Sequence, residues 1–186
     1  MERERRRERE FNENQLEGRN AVLEVLRSGR DIEKVFVQKG NVEGTIKRIV
    51  AQAAEKGVLI QETSRQKLDE MSQTKNHQGV IALVSAHDYV EVEDILNIAR
   101  AKDEDPFIIL LDGITDPHNL GAILRTAECA GAHGVIIPKR RSAGATTIVD
   151  KSSAGAAEHM LIARVPNITS AIKELKGRGL WIYGAA

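Results

Sequence analysis

Apolar residues recur along the first half of the chain at two spacings that alternate. Intervals of three and four residues are typical of amphipathic helices, and short apolar or alternating runs are typical of strands. We predict, in chain order, helix 19–27, strand 32–38, helix 42–56, strand 58–61, helix 64–71 and strand 80–85. This order predicts a small α/β domain over residues 18–87.

The second half repeats the alternation and opens with the continuous apolar run FIILLD, which suits a buried parallel strand. We predict strand 107–112, helix 119–130, strand 134–137, helix 147–153, strand 161–165, helix 168–176 and strand 180–183. Strands that alternate with helices predict a doubly wound parallel sheet, and we assign it to residues 106–186.

Two polar segments flank the first domain. Residues 1–17 begin with MERERRRERE, which alternates in charge and predicts a flexible charged tail. An arginine-rich RNA-binding arm is the alternative, and the interleaved glutamates weaken it. Residues 88–105 are acidic and close on KDEDP, so we interpret them as a linker that contains a polar helix at 92–100.

Composition narrows the possible functions. Aromatic residues make up only 3% of the chain, which disfavours a surface that stacks many bases. The net charge is zero, but residues 112–186 carry 9 basic against 6 acidic side chains, so this part is the better candidate for contact with phosphates. The chain has no second cysteine to pair with Cys129, which we expect to be a buried thiol. No apolar stretch suits a membrane span or a secretory signal, so a cytoplasmic location is expected.

The segment LLDGITDPHNLGAILRTAECAGAHGVIIP holds the most informative polar residues. A buried strand ends at Asp112 and a helix is predicted from Asn119, and ligands of open α/β sheets bind where strands end. Asn119 could cap that helix and face a ligand, Gly121 would permit close approach, and Arg125 offers five donors. The spacing N-x-G-x-x-x-R is weak alone, and its place after the strand strengthens it.

This segment resembles the first signature motif of the SpoU (TrmH) family in the SPOUT superfamily. That family methylates ribose 2′-hydroxyls of RNA with S-adenosylmethionine. KSSAGAAEHM also resembles the family, and GRNAVLEVLRSGRDIEKVFV and NHQGVIALV resemble its N-terminal substrate-binding domain. The resemblance implies an L30e/L7Ae-like first domain and an α/β-knot second domain. It is strongest to the branch that modifies a guanosine of 23S rRNA, and tRNA is the alternative substrate.

The resemblance also implies roles for individual residues and a homodimeric enzyme. Asn119 would shape the ribose and cofactor pocket, and Arg125 would be the catalytic arginine beside the 2′-hydroxyl. Because a guanidinium stays protonated, binding the adjacent phosphate and stabilising the developing alkoxide suit Arg125 better than accepting a proton. The candidate RNA contacts are Arg19, Asn20, His77, Gln78, Lys139, Arg140 and Arg141. Glu158 and His159 lack further ligands at metal-binding spacing, so no metal is predicted.

Two further family motifs, a glycine-rich I-G-x-E-G turn and a Ser/Asn segment that completes the knot, do not occur in the sequence. Only Gly184 and Ala185 are then placed to touch S-adenosylmethionine. We therefore expect this chain to bind the cofactor weakly and to be inactive, as a fragment or as a shortened form. A non-catalytic RNA-binding protein is the alternative. A nucleotide-dependent oxidoreductase would need G-x-G-x-x-G after strand 107–112, and GITDPHN does not fit.

Overall fold

A computed structural model describes residues 14–40 and 44–185 and divides them into two compact units, with the boundary between Ala86 and His87. In the described part of the chain, no helix is long and apolar enough to cross a membrane.

The first unit has four strands and three helices among its described residues. They are β1 (Gln15–Glu17), α1 (Arg19–Ser28), β2 (Ile32–Gln38), α2 (Gly44–Glu55), β3 (Leu59–Thr63), α3 (Arg65–Met71) and β4 (Val80–Val84). The predicted elements from α1 onward are confirmed over the described residues, with ends shifted by at most two residues. Positions 42 and 43 of the predicted helix 42–56 lie outside the described residues. Ser64 caps α3, since its hydroxyl accepts a hydrogen bond from the backbone N–H of Lys67 at 3.2 Å.

The strands form one mixed sheet in the order β1-β4-β2-β3. Strand β4 pairs antiparallel with β1 and β2, whereas β2 and β3 are parallel. Alternate residues of β2 and β4, including Val35 and Ala82, pack against buried residues of α1 and α2, such as Leu26 and Ile49. The amphipathic pattern of both helices thus covers one face of the sheet.

Strand β1 corrects the predicted start of the ordered chain. Residues 15–17 were assigned to the charged tail, yet Gln15, Leu16 and Glu17 pair in register with Leu83, Ala82 and Ile81 of β4. The three residues are too few to show a strand period in the sequence, and their pairing depends on a strand more than sixty residues away. The predicted flexible tail at 1–13 lies outside the described residues.

The second unit comprises three strands and five helices within its described range. They are α4 (Val92–Ala101), β5 (Ile108–Leu110), α5 (Pro117–Cys129), β6 (Gly134–Pro138), α6 (Thr147–Ser153), α7 (Ala156–His159), β7 (Ile162–Val165) and α8 (Ile168–Gly177). The sheet has the order β5-β6-β7 and every pair is parallel.

Helices cover both faces of this sheet, as the alternation of buried residues along β6 shows. Val135 and Ile137 belong to a cluster with residues of α5, α6 and α7, whereas Ile136 packs with residues of α4 and α8. The predicted doubly wound arrangement is therefore confirmed.

Helix α4 corrects the interpretation of residues 88–105 as a linker. The predicted helix is present, but Ile95 and Leu96 are buried in the core of the second unit. Val90, just before it, donates its N–H to the carbonyl of Ile162 at 3.0 Å. The acidic side chains lie on the outer face of α4, which is why the composition suggested a linker.

The last predicted strand, at 180–183, is not formed: residues 180–185 have no strand pairing. Leu180 and Ile182 are partly buried against the cluster of α4 and α8, and Trp181 and Tyr183 are 86% and 88% exposed. The alternating pattern is therefore present as extended chain that lacks a neighbouring strand. Conversely, no separate pattern of apolar residues predicted the single turn of α7.

Candidate functional site

The start of α5 lies where β5 ends, at the carboxyl edge of the parallel sheet. Asp116 caps the helix by accepting a hydrogen bond from the N–H of His118 at 2.9 Å, and Pro117 occupies the first turn. Asn119 is therefore not the cap that the sequence suggested. Its side chain is exposed in the first turn of α5, where it does not serve as the cap and is accessible to a ligand.

Gly121 has a different role from the one predicted. A Cβ built at this position would lie 1.9 Å from Ser152 Oγ and 2.9 Å from the backbone nitrogen of Ser153. The missing side chain thus permits helix α6, rather than a ligand, to approach α5. The Ser152 hydroxyl also lies 3.3 Å from the carbonyl of Pro117, although its nearest acceptor is the carbonyl of Ile148 in its own helix at 2.8 Å.

Arg125 is exposed on a face of α5 that also carries His118, Ala122 and Cys129. These residues follow one another at intervals of four, three and four, which places them along one stripe of the helix. Long side chains on a helix lean toward its N-terminus, so the Arg125 side chain leans over Ala122 in the direction of His118. His118 was missed as a candidate, although its interval of seven from Arg125 could have identified it.

Cys129 corrects another expectation, because the thiol is exposed rather than buried. The apolar pattern around it belongs to Leu120, Leu124 and Ala127, which face the core.

The basic residues Lys139, Arg140 and Arg141 follow β6 and are all exposed. Their loop is tied to the loop after β5, since Ala143 donates its N–H to the carbonyl of Ile114 at 2.7 Å. The structure thus brings three of the predicted RNA contacts to the same sheet edge as the start of α5. The combined surface is rich in positive charge and suits a phosphate backbone.

The other predicted RNA contacts lie together in the first unit, around the loop 72–79. Arg19 donates from its backbone N–H to Gln78 Oε1 and from Nε to the Gln78 carbonyl, both at 3.2 Å. Asn20 is exposed in the first turn of α1. Arg19, Asn20 and Gln78 therefore form one polar surface at the N-terminus of α1.

His77 requires a correction. Its side chain is only 6% exposed; Nε2 lies 2.9 Å from Asp69 Oδ1, and Nδ1 accepts a hydrogen bond from the N–H of Gly79 at 3.0 Å. An Nδ1 that accepts leaves the proton on Nε2, which donates to Asp69. Both ring nitrogens are engaged, so His77 supports the loop rather than offering the RNA contact that we predicted.

Glu17 accepts hydrogen bonds from residues 72–74, which its position in the sequence did not reveal. Partial burial by itself would raise the pKa of its carboxyl, but hydrogen bonds from Thr74, Ser72, Gln73 and Gln15 outweigh this and lower the pKa from 4.5 to about 2. The residue looked like one more charge of the tail, and only the fold brings it to residues 72–74.

The predicted cofactor contacts, Gly184 and Ala185, are exposed in the extended segment after Tyr183. That segment follows Leu180 and Ile182, which pack on the sheet face opposite to α5. Two exposed small residues could contact an adenosine along one edge but could not enclose it. These residues alone therefore do not fit S-adenosylmethionine.

A cavity of about 360 Å³ is lined by Arg100, Asp103, Glu104 and Asp105. These residues precede β5, so the cavity lies at the amino edge of the sheet, opposite the start of α5. Within residues 14–40 and 44–185, no group of three or more His, Cys, Asp or Glu side chains could hold a metal ion.

Fold and site together define a two-unit α/β protein with a basic polar surface at the carboxyl edge of a parallel sheet. Two family models match the chain: RNA 2′-O ribose methyltransferase substrate binding over residues 15–90, and the SpoU rRNA methylase family over residues 106–186.

Curated relatives agree with the family models. A Bacillus subtilis protein, YacO, named as a TrmH family tRNA/rRNA methyltransferase, is 46% identical over 167 residues, which are 90% of this chain and 67% of the relative. A Staphylococcus haemolyticus protein with the same family name is 41% identical over 168 residues, again 90% and 67% of the two chains. The chain belongs to the SpoU (TrmH) family of RNA methyltransferases.

Two solved structures of methyltransferases are also similar. An rRNA methyltransferase from Sinorhizobium meliloti with bound AdoMet is 24% identical with a TM-score of 0.41, over 95% of this chain and 61% of that one. AviRb from Streptomyces viridochromogenes, a SpoU methyltransferase in complex with AdoMet, is 18% identical with a TM-score of 0.42, over 89% and 58%. The chain therefore spans about three fifths of these solved chains and two thirds of the curated relatives.

Proposed function

We propose that this protein takes part in transferring a methyl group from S-adenosylmethionine to a ribose 2′-hydroxyl of RNA, with a guanosine of 23S rRNA as the substrate. The observation that carries the proposal is the pairing, in one chain, of a substrate-binding unit with a methylase unit whose Asn119 and Arg125 are exposed on α5. The relatives' names allow tRNA as well as rRNA, and tRNA is the second candidate substrate.

RNA would be held at two places, one in each unit. In the second unit, Lys139, Arg140 and Arg141 would neutralise phosphates beside the start of α5. In the first unit, Arg19, Asn20 and Gln78 would supply amide and guanidinium donors.

Arg125 would hold the phosphate next to the target ribose and stabilise negative charge as it develops on the 2′-oxygen. The exposed guanidinium presents several donors in a fixed plane, which a lysine cannot reproduce. Asn119, in the first turn of the same helix, would orient the ribose through its amide.

S-adenosylmethionine would supply the methyl group. Gly184 and Ala185 would contact it at one edge only, and the family members act as dimers, so a homodimer is part of the proposal. The exposure of both residues supports the expectation that a polypeptide of these 186 residues binds the cofactor weakly and is inactive. Under that expectation, RNA binding without methyl transfer is what the isolated polypeptide does.

A methyl-transfer assay with the full-length protein tests this function. Purified 23S rRNA and tRNA would be incubated with radiolabelled S-adenosylmethionine, and digested nucleosides would be assayed for 2′-O-methylguanosine. Arg125→Lys should lower the rate at saturating RNA by at least about 100-fold, the size typical of losing one oriented donor to an oxyanion. Lys173→Ala removes an exposed charge from α8, on the other sheet face, and should leave the rate unchanged.

Methyl groups found on bases would contradict methylation of the ribose. Labelling of tRNA without labelling of rRNA would show that tRNA, rather than 23S rRNA, is the substrate. A full rate for Arg125→Lys would show that the planar guanidinium is not required.

A further inference from the structure

The loop 72–79 of the first unit has a backbone that needs external support. Lys75 and Gln78 have φ values of 57° and 52°, a region that side chains other than glycine rarely adopt. Such conformations persist only where surrounding contacts determine them, and they concentrate at functional sites.

Glu17 supports the first half of this loop from the end of β1. Its carboxylate accepts hydrogen bonds from the Ser72 hydroxyl at 2.7 Å, the Gln73 N–H at 2.6 Å and the Thr74 N–H at 3.3 Å. The Thr74 hydroxyl also donates to it. Gln15 donates to the same carboxylate at 2.7 Å and to the carbonyl of Met71 at 2.9 Å, which fixes the end of α3.

The residues after Glu17 support the second half. Gly18 has a φ of 90° and lies close enough that a Cβ there would be 3.6 Å from the Asn76 carbonyl oxygen. Arg19 holds Gln78 by two hydrogen bonds, and buried His77 holds the N–H of Gly79. Glu17 and Arg19 thus bind the two ends of the loop, and Gly18 lies close to its middle.

The supported loop presents polar groups outward. Lys75, Asn76 and Gln78 are exposed, and Asn20 is exposed at the adjoining first turn of α1. Side-chain amides offer paired donors and acceptors that match the edges of unstacked RNA bases.

We infer that Glu17 is a positioning residue for RNA binding: its carboxylate holds the loop 72–79 in the conformation that presents Asn76 and Gln78 to RNA. The inference rests on the proposed function, since it assumes that this surface meets RNA. Glu17 itself is engaged with the loop and contacts no RNA.

A positioning role for Glu17 predicts a change in RNA affinity opposite in sign to the change expected from charge alone. Removing a negative charge should strengthen the binding of a polyanion, because repulsion is lost. If Glu17 positions the loop, Glu17→Gln should weaken binding, since the neutral amide cannot accept all of these hydrogen bonds and the loop must then be ordered on binding.

The experiment compares RNA affinity for the full chain, Glu17→Gln and Glu24→Gln. Glu24 is an exposed acid on α1, so its replacement makes the same charge change without touching the loop. The probe is a fluorescently labelled hairpin of 23S rRNA with an unpaired guanosine. We expect Glu17→Gln to bind about five- to tenfold more weakly and Glu24→Gln to bind equally or slightly more tightly.

Amide hydrogen exchange separates positioning from unfolding. In Glu17→Gln, the amides of Gln73 and Thr74 should exchange faster, whereas those of β4 should keep their protection. Equal RNA affinity despite faster exchange in the loop would overturn the inference, and so would unchanged exchange at both amides. Loss of protection throughout β4 would overturn it too, because Glu17 would then stabilise the fold as a whole.

If the unmodified chain does not bind the hairpin, binding to this surface, and with it this inference, is overturned. The methyl-transfer assay would still test the proposed function separately.

Discussion

Glu17 shows how much a single side chain can determine in this molecule. Glu17 is the last residue of the three-residue strand β1 and precedes Gly18. Its carboxylate accepts hydrogen bonds from five donor groups, which belong to four residues. Such a concentration of donors stabilises the charged form, which is why the pKa falls although burial opposes it.

The lowered pKa makes a prediction about acid stability. Since the folded-state pKa of about 2 lies below the ordinary value of 4.5, the carboxylate stabilises the first unit fully above about pH 4.5. This contribution should disappear as the pH falls toward 2. The difference in free energy of unfolding between the unmodified chain and Glu17→Gln, measured in urea at pH 7, 4 and 2.5, should therefore shrink with acid. A difference that is constant over this range would contradict the assigned hydrogen bonds, and Glu24→Gln should show little difference at any of these values.

At the scale of elements, the second unit depends on how closely α5 and α6 approach. Gly121 lets the backbone of α6 lie against α5, and Ser152 of α6 reaches within 3.3 Å of the Pro117 carbonyl. The same contact fixes the start of α5, where Asn119 is exposed. Packing and site geometry are thus coupled through one glycine.

Gly121→Ala should lower the free energy of unfolding by about 1–3 kcal/mol, as overpacked contacts typically do. The relevant neighbours include backbone atoms of α6, which cannot rotate away as a flexible side chain could. Urea unfolding followed by circular dichroism would measure the loss.

Gly177→Ala is the matched control, because no atom lies within 4 Å of the added Cβ and the residue ends helix α8. This variant should be neutral or up to about 1 kcal/mol more stable, since alanine favours a helix. If Gly121→Ala were as stable as Gly177→Ala, the close helix approach would be wrong.

The sequence was sufficient for elements whose pattern is local. The spacing of Val22, Leu23, Val25 and Leu26 predicted α1. FIILLD predicted a strand, and one is present, but only Ile108–Leu110 pairs; it is partly buried at one edge of the sheet rather than central. Features that depend on distant partners were missed or misassigned. Residues 88–105 suggested a linker because acidic side chains on the outer face of α4 dominate their composition, and the packing of Ile95 and Leu96 on distant residues is not visible in it. The start of α5 at Pro117 is a different case, because two nearby residues, Asp116 and Asn119, could each have capped the helix.

The candidate site divides in the same way. Asn119 and Arg125 could be selected from a linear motif, and both are exposed as a binding residue must be. The burial of His77, the role of Gly121 in helix packing and the hydrogen bonds of Glu17 arise from residues far away in sequence, so spacing alone could not reveal them.

At the scale of the whole molecule, we propose that each unit contributes surface to RNA binding. The first unit offers amide groups on a supported loop, and the second offers the exposed cations Lys139, Arg140 and Arg141. The net charge of zero does not reveal the basic surface, because an excess of acidic residues in the first 111 positions balances it.

The most direct test is the salt dependence of RNA binding by the full chain, measured by fluorescence anisotropy with the same rRNA hairpin and its DNA counterpart. We predict that RNA binds more tightly than DNA. Replacing Lys139, Arg140 and Arg141 together by alanine should reduce the slope of log affinity against log salt by about 2 to 3. The matched triple replacement of Lys47, Arg48 and Lys56, exposed on or just after α2, should leave the slope nearly unchanged. Equal slopes for the two triple variants, or equal affinity for RNA and DNA, would contradict the account.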